Sequence, residues 1–337
     1  MRVGNLTQTV WNRSVRKQIE KEWAAEPLNP IYGERCAAIR TDGAEVIVTA
    51  SASASGHSPH VGIYAAARAI NDVAARGANP EKIEVSIYFP EETEEENARQ
   101  LVGRLGEFCK GHGIGIMGVQ AEVNPVVSQT LVQVRTFGKA AEDRLICMSG
   151  AKAGQDLILC GYIGLEGSLR ILDEQEEELG RRFTPAFLRQ MRRKEPELVQ
   201  VKAVREAVPG ETGKVNAMQQ VGSGGIFAAL WELAEASGAG LEVELQKMSI
   251  LQETVEICEY YRLNPYQMTS AGAVLMAADD GEALVKRLEK QGAHAVRIGR
   301  LTEGKARIIR TGHEDRFLDR PAADELMLWQ KKEMQHA

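Results

Sequence analysis

The stretch Ser58–Pro80, SPHVGIYAAARAINDVAARGANP, constrains the fold of this chain most strongly. Ser58 can cap exposed helical N–H groups, Pro59 suits a first helical position, and Gly77 with Pro80 supplies a stop, so a helix of about five turns is predicted. Ile63, Ala66, Ala67, Ile70, Val73 and Ala74 recur at spacings of three and four, making one face apolar and mostly small. Such a helix can approach a sheet closely. Asn71 and Asp72 fall in its last turns, where an amide and a carboxylate can address a metal or a polar ligand at the sheet edge. Arg68, four residues before Asp72, offers a plainer reading: a solvated ion pair worth a few tenths of a kcal/mol.

At 337 residues the chain is long enough for two domains with separate cores. A net charge of −6, with no basic stripe to displace counterions from phosphates, argues against a nucleic-acid partner. The dense basic run Arg189–Lys194 adjoins Glu195 and Glu197 and reads as a solvated helix face. No apolar run reaches membrane-spanning length and the first 30 positions lack an apolar signal core, so neither a membrane span nor secretion is expected. The five cysteines, Cys36, Cys109, Cys147, Cys160 and Cys258, are isolated in apolar contexts without zinc spacing, and read as buried thiols of a reducing cytoplasm.

Along the chain, two short strands are expected within Ala37–Ala50, joined at Thr41-Asp42-Gly43, and the Ser/Ala run Ala50–Gly56 reads as a loop. A strand at Ile83–Phe89, a helix opened by the acidic run Glu91–Glu96, and strands at Ile114–Val119 and Thr130–Phe137 follow. GAKAG at Gly150–Gly154 reads as a joint, placing a domain boundary between residues 1–150 and 151–337. Beyond it come strand Asp156–Gly161, a helix begun by GLEG at Gly164–Gly167, and exposed charged helices over Asp173–Lys194. The glycine turn Gly222-Ser223-Gly224-Gly225 leads into IFAALWELAEASG. Such a turn at a helix N-terminus presents N–H groups to an anion such as a phosphate, although glycine turns often only permit tight packing. Strands near Leu241–Leu245, Val274–Ala278, Ala295–Gly299 and Ala306–Arg310, helices Leu251–Tyr261 and Gly281–Gln291 among them and a charged C-terminal helix complete a mixed α+β pattern. His57 and His60 lack a third ligand nearby and read as solvated loop histidines.

Three segments together resemble the superfamily of aminoimidazole ribonucleotide synthetase: NDVAARGANP, AGQDLILCGYIGLEGSLRIL and GSGGIFAALWELAEASGAGLEV. Within it the likeness is greatest to the hydrogenase maturation factor HypE and related proteins. MRVGNL and ETVEICEYYRLNPYQMTSAGAVLMA are similar to the same branch. The resemblance implies a PurM-like two-domain fold, with an N-terminal domain that dimerises into a β-barrel and a C-terminal α/β domain. It also implies a cleft for ATP and magnesium, held by several carboxylates, in which an amide or carbamoyl oxygen is activated by phosphoryl transfer. On this resemblance Asn71, Asp72, Gly222, Ser223, Gly224 and Gly225 are the cofactor-binding candidates. Asp72 is the metal ligand, and Glu34, Glu122 and Glu166 are possible additions.

The same resemblance exposes departures. The family's Gly-Asp-Asp-Ala-Ala element stands here as Gly33-Glu34-Arg35-Cys36-Ala37-Ala38, and its Thr-Asp-Ser as Thr49-Ala50-Ser51. Its Gly-Asp-Thr stands as Gly118-Val119-Gln120, and its Asp-x-Thr-Arg-Gly-Gly as Gln220–Gly225. A terminal cysteine for carrying a carbamoyl group is replaced by Glu333-Met334-Gln335-His336-Ala337. Two readings follow and stay open. One is a HypE-like homodimer with a depleted Mg–ATP site, degenerate or altered in activity, related to maturation and working with a protein partner. The other is an active ATP-dependent enzyme of the superfamily.

Overall fold

The computed structural model describes residues 3–22, 33–209, 212–312 and 314–336. Two short helices, α1 (Gln8–Trp11) and α2 (Lys17–Glu22), precede β1 (Cys36–Arg40), β2 (Glu45–Gly56), α3 (Val61–Ala75), β3 (Asn79–Phe89), α4 (Glu95–Gly111), β4 (Gly115–Val123) and β5 (Thr130–Ala141). After a linker come β6 (Asp156–Cys160), α5 (Leu165–Glu174), α6 (Glu176–Arg182), α7 (Pro185–Arg192), α8 (Val201–Ala207), β7 (Val215–Gln220), α9 (Gly225–Ser237) and β8 (Gly240–Glu244). The chain closes with α10 (Gln252–Tyr261), β9 (Val274–Ala278), α11 (Gly281–Lys290), β10 (Ala295–Thr302), β11 (Arg307–Arg310), β12 (Asp315–Phe317) and α12 (Glu325–His336).

These elements form a mixed α+β fold on two sheets. The first has five strands in the order β1-β2-β5-β3-β4, and the second seven in the order β12-β11-β8-β10-β6-β9-β7. Among the described residues, no helix is long and apolar enough to cross a membrane.

The Ser/Ala run at 50–56 is a strand, contrary to the loop expected from its composition. It is the second half of β2 and pairs with β5 in unbroken register from Glu45↔Ala141 to Gly56↔Thr130. The reason is alternation: Ala50 and Ala54 are buried while Ser51 and Ser53 face solvent, so small residues still carry a period of two. Two helix signals also shift. The helix begins at Val61 with no side-chain cap, because Ser58 Oγ instead accepts from the His60 N–H at 3.1 Å. Pro80 lies near the start of β3 rather than in a turn.

Every residue of α3 except Arg68 is buried. Its alanines pack on β2 and β5, and its other side meets the second half of the chain. One apolar cluster contains Ala66 and Ile70 of α3, Val85 and Val134 of the first sheet, Leu101 and Leu105 of α4, Leu169 of α5, Met191 of α7, and Leu326 and Trp329 of α12. A second cluster fills the other sheet beneath α9. The charged section 173–194 is not simply an exposed surface: Asp173, Leu179, Leu188 and Met191 turn inward. All five cysteines are free, but only Cys109, Cys160 and Cys258 are buried; Cys36 and Cys147 are half-buried.

Candidate functional site

Asp72 sits on the fourth turn of α3, where the helix passes the end of β7. Burial overturns the solvated Arg68–Asp72 pair: Asp72 is buried, and its Oδ1 accepts from Gln220 Nε2 at 3.1 Å. Arg68 turns elsewhere, donating to the Ser53 carbonyl at 3.0 Å. Burial pushes the Asp72 carboxyl up from its ordinary value, with Arg35 and Arg68 pulling the other way.

Arg35, just before β1, brings its cation into this space. Its guanidinium lies against Gly222, where any Cβ would collide with it, and reaches Glu232 of α9 at 3.4 Å. Glu232 is buried, also accepts from Gln219, and is raised by burial against the pull of Arg35. A neighbouring pair, Glu34 with Arg76, is nearly as enclosed, and Arg76 also donates to the Ile146 carbonyl at 3.2 Å. Glu34, Arg35, Cys36, Asp72, Gln219 and Gln220 leave between them a cavity of about 20 Å³, room for a water molecule and not for a triphosphate.

The glycine turn borders this cluster. Gly224 and Gly225 both have positive φ, and the backbone of Tyr266 to Met268 approaches Gly225 too closely for any side chain. Its amides are partly engaged. Gly225 N–H donates to the Gly222 carbonyl at 3.0 Å, and Gly224 N–H donates to Asp324 Oδ2 at 2.6 Å. Asp324 is 1% exposed, and burial pushes its carboxyl to about 6. Ser223, half-buried, completes the turn.

The remaining candidates divide. Asn71 is buried and fully engaged as a clamp: Nδ2 donates to the Leu198 carbonyl at 2.6 Å and Oδ1 accepts from the Gln200 N–H at 3.1 Å. Glu166, in the first turn of α5, is 0% exposed. It accepts from Thr269 Oγ1 at 2.7 Å and the Ala271 N–H at 3.1 Å, with Arg170 at 3.4 Å and Arg68 at 3.9 Å. Glu122 is exposed on β4, at the far edge of the first sheet from β1, and accepts from Asn124 at 2.9 Å. The fold thus gathers Glu34, Asp72 and the glycine turn, sets Glu166 against α3 through Arg68, and leaves Glu122 apart.

Three participants were not singled out by sequence reading: Arg35 as a filling cation, Glu232 and Asp324. Glu232 was detectable as an acid among apolar neighbours in IFAALWELAEA. Asp324 carries the local signal of a helix start, AADEL, but nothing that points to α9.

Family models for the AIR synthase related protein match residues 32–140 with the N-terminal domain and residues 152–311 with the C-terminal domain. The chain belongs to the AIR synthase related family. Among family relatives, a protein of Methanocaldococcus jannaschii named for hydrogenase expression/formation is 26% identical over 269 residues, spanning 78% of this chain and 77% of the relative. Carbamoyl dehydratase HypE of Rhodobacter capsulatus is 24% identical, spanning 74% of this chain and 72% of its own. Solved structures share the fold. HypE in a HypE–HypF complex superposes with a TM-score of 0.73 at 18% identity, covering 91% of this chain and 100% of that one. HypE in complex with ATP gives 0.70 at 17% identity, covering 96% and 98%.

Among the described residues, no group of three or more His, Cys, Asp or Glu side chains is placed to hold a metal ion. Hard cations need several oxygen ligands, whereas Asp72 Oδ1 accepts from the Gln220 amide and its charge is favoured by the nearby Arg35 and Arg68 cations.

Proposed function

We propose that this chain is a HypE-like member of the family in which the place of the nucleotide cleft is kept but filled by the Arg35 side chain and its Mg–ATP machinery is depleted, giving a degenerate or altered activity in maturation. One observation carries this reading: the Arg35 guanidinium lies against Gly222 and pairs with Glu232 beside Asp72, so a fixed cation stands among the carboxylates. A guanidinium neutralises those carboxylates without the open coordination positions of a metal, so it can bind phosphate oxygens but cannot ligate an attacking or leaving oxygen. ATP is the expected nucleotide, because HypE is known in complex with it.

Calorimetry and phosphate-release assays with ATP, with and without magnesium, test the proposal. Binding that is indifferent to magnesium, with no turnover, is expected. Magnesium-dependent hydrolysis abolished by Asp72→Asn would instead establish the second reading, an ATP-dependent enzyme activating an amide or carbamoyl oxygen. The persistence of Glu34 and Asp72 at one cavity supports that alternative.

The proposal extends to assembly. Residues 1–150 and 151–337 act as the two domains, and the open outer face of the first sheet, with Ile47, Leu131 and Phe137 half-exposed on it, pairs two copies. HypE has been solved with the protein HypF, and a protein partner is expected here too. Free thiols throughout fit a cytoplasmic location. Light scattering that returns a monomer mass would remove the dimer.

A further inference from the structure

Away from the glycine turn, where the end of α3 and the start of β7 meet the linker after β5, lies a groove of about 800 Å³. That is within the size range of small-molecule sites, which favour creases between packed units. β7 runs from Val215 in this groove to Gln220 beside Asp72, and Met218 between them lines both places. Its floor is apolar, formed by Ala74, Ala140, Ile146, Val204, Val215 and Met218, drawn from both halves of the chain.

The charge around that floor is the reverse of the chain's net −6. Lys139, Arg144, Lys152, Arg205 and Lys214 line it, all exposed, against only Glu45 and Asp143. Arg205 reaches Asn79 Oδ1 at 3.3 Å. The other four cations have no ion-pair partner among the described residues. Surface lysines and arginines in an acidic protein commonly find carboxylates, as Lys247 does with Glu244 at 2.6 Å and Arg310 with Glu242 at 3.3 Å. Four unpaired cations around one apolar floor make a surface complementary to a molecule that is apolar at one end and negative at the other.

We propose that this groove binds a small organic anion, its apolar body on the alanine and valine floor and its carboxylate or phosphate among the rim cations. Concavity favours a small ligand over a protein segment, since protein docking faces of ordinary size bury about 800 Å² per partner on flatter surfaces. The site adjoins the Asp72 cavity across Met218, which lines both, and a ligand in it touches both halves at once.

Titration with 1-anilinonaphthalene-8-sulfonate, an amphipathic anion whose fluorescence rises in apolar surroundings, tests this on the full chain. Saturable binding is expected, with affinity lowered about tenfold or more by the double substitution Lys152→Glu with Lys214→Glu. The equal charge change Lys286→Glu with Lys290→Glu, on α11, is expected to leave it intact. Decanoate below its micelle concentration should displace the dye, and decyltrimethylammonium should not. The proposal fails if the groove variant binds as wild type does while keeping its melting temperature. It fails also if both amphiphiles displace equally, which reveals only an apolar patch, or if a glutamate-rich peptide displaces the dye and decanoate does not.

Discussion

The Asp324 carboxylate holds the Gly224 N–H at 2.6 Å, so an acid from the segment before α12 occupies an amide at the start of α9. Its other oxygen accepts from the Leu326 N–H at 3.0 Å, tying the starts of the two helices together. An anion approaching this turn meets a carboxylate already seated there.

That placement gives stability a pH signature. Burial raises the folded-state value of Asp324 to about 6 from 3.8, so the folded chain holds this proton more tightly than the unfolded one. The contribution is therefore fully present below about 3.8 and is lost as pH rises through about 6, a change of order 3 kcal/mol. Asp324→Asn should flatten the fall in melting temperature between pH 4 and pH 7, roughly this titration window. An unaltered slope in the variant would refute the assignment.

Asp324→Ala should free the Gly224 amide and admit inorganic phosphate or ATP more readily than wild type. An affinity gain of about tenfold is expected by calorimetry at pH 7.5, where the wild-type carboxylate is charged. Equal or weaker binding in the variant would mean the carboxylate only caps the helix.

Replacing the fixed cation should expose a requirement for a mobile one. Arg35→Asp adds a third carboxylate beside Asp72 and Glu232, which should lower stability by about 3 kcal/mol without metal. Millimolar magnesium should then restore much of the melting temperature in the variant and leave wild type unmoved. A wild-type melting temperature that climbs equally with magnesium contradicts the role given to Arg35.

Asn71 holds the segment Leu198–Gln200 by two hydrogen bonds, and its removal leaves buried backbone groups unpaired. Asn71→Ala should cost about 2 kcal/mol and speed proteolytic nicking between residues 198 and 209. Cleavage at the wild-type rate would sink the clamp.

Asp173 works in the opposite pH sense to Asp324. Burial alone would raise it, but His60 at 3.1 Å, the Tyr64 hydroxyl at 2.5 Å and Arg192 at 2.6 Å bring it below the ordinary value of 3.8. Its contribution is present above about 3.8 and is lost in more acidic solution as the folded carboxylate protonates. Asp173→Asn should cost about 3 kcal/mol at pH 7 by chemical denaturation, and much less at pH 3. A cost independent of pH would show that packing, not charge, sets it.

The sequence made the helical stripes and most strands readable because 3.6- and 2-residue periods record which side is buried. Strands Val274–Ala278 and Thr130–Ala141 and helix Gln252–Tyr261 lie where their patterns place them, within a few residues. The Ala50–Gly56 strand hid because serine and alanine carry weak strand preference, and only pairing with β5 reveals it. At the site, Asp72 and the glycine turn stood out as local motifs. Arg35, Glu232 and Asp324 did not, because each acts across a long sequence separation: an arginine ahead of β1 has no local reason to reach α9.

The immersion of α3 bears on how this molecule can move. A helix enclosed on nearly all sides and shared by the cores of both halves cannot serve as a hinge, because prying the halves apart would wet Ala66, Ile70 and their partners together. Thermal melting should consequently proceed as one cooperative event, and guest molecules must gain entry by swinging individual side chains such as Arg35 rather than by jaws opening.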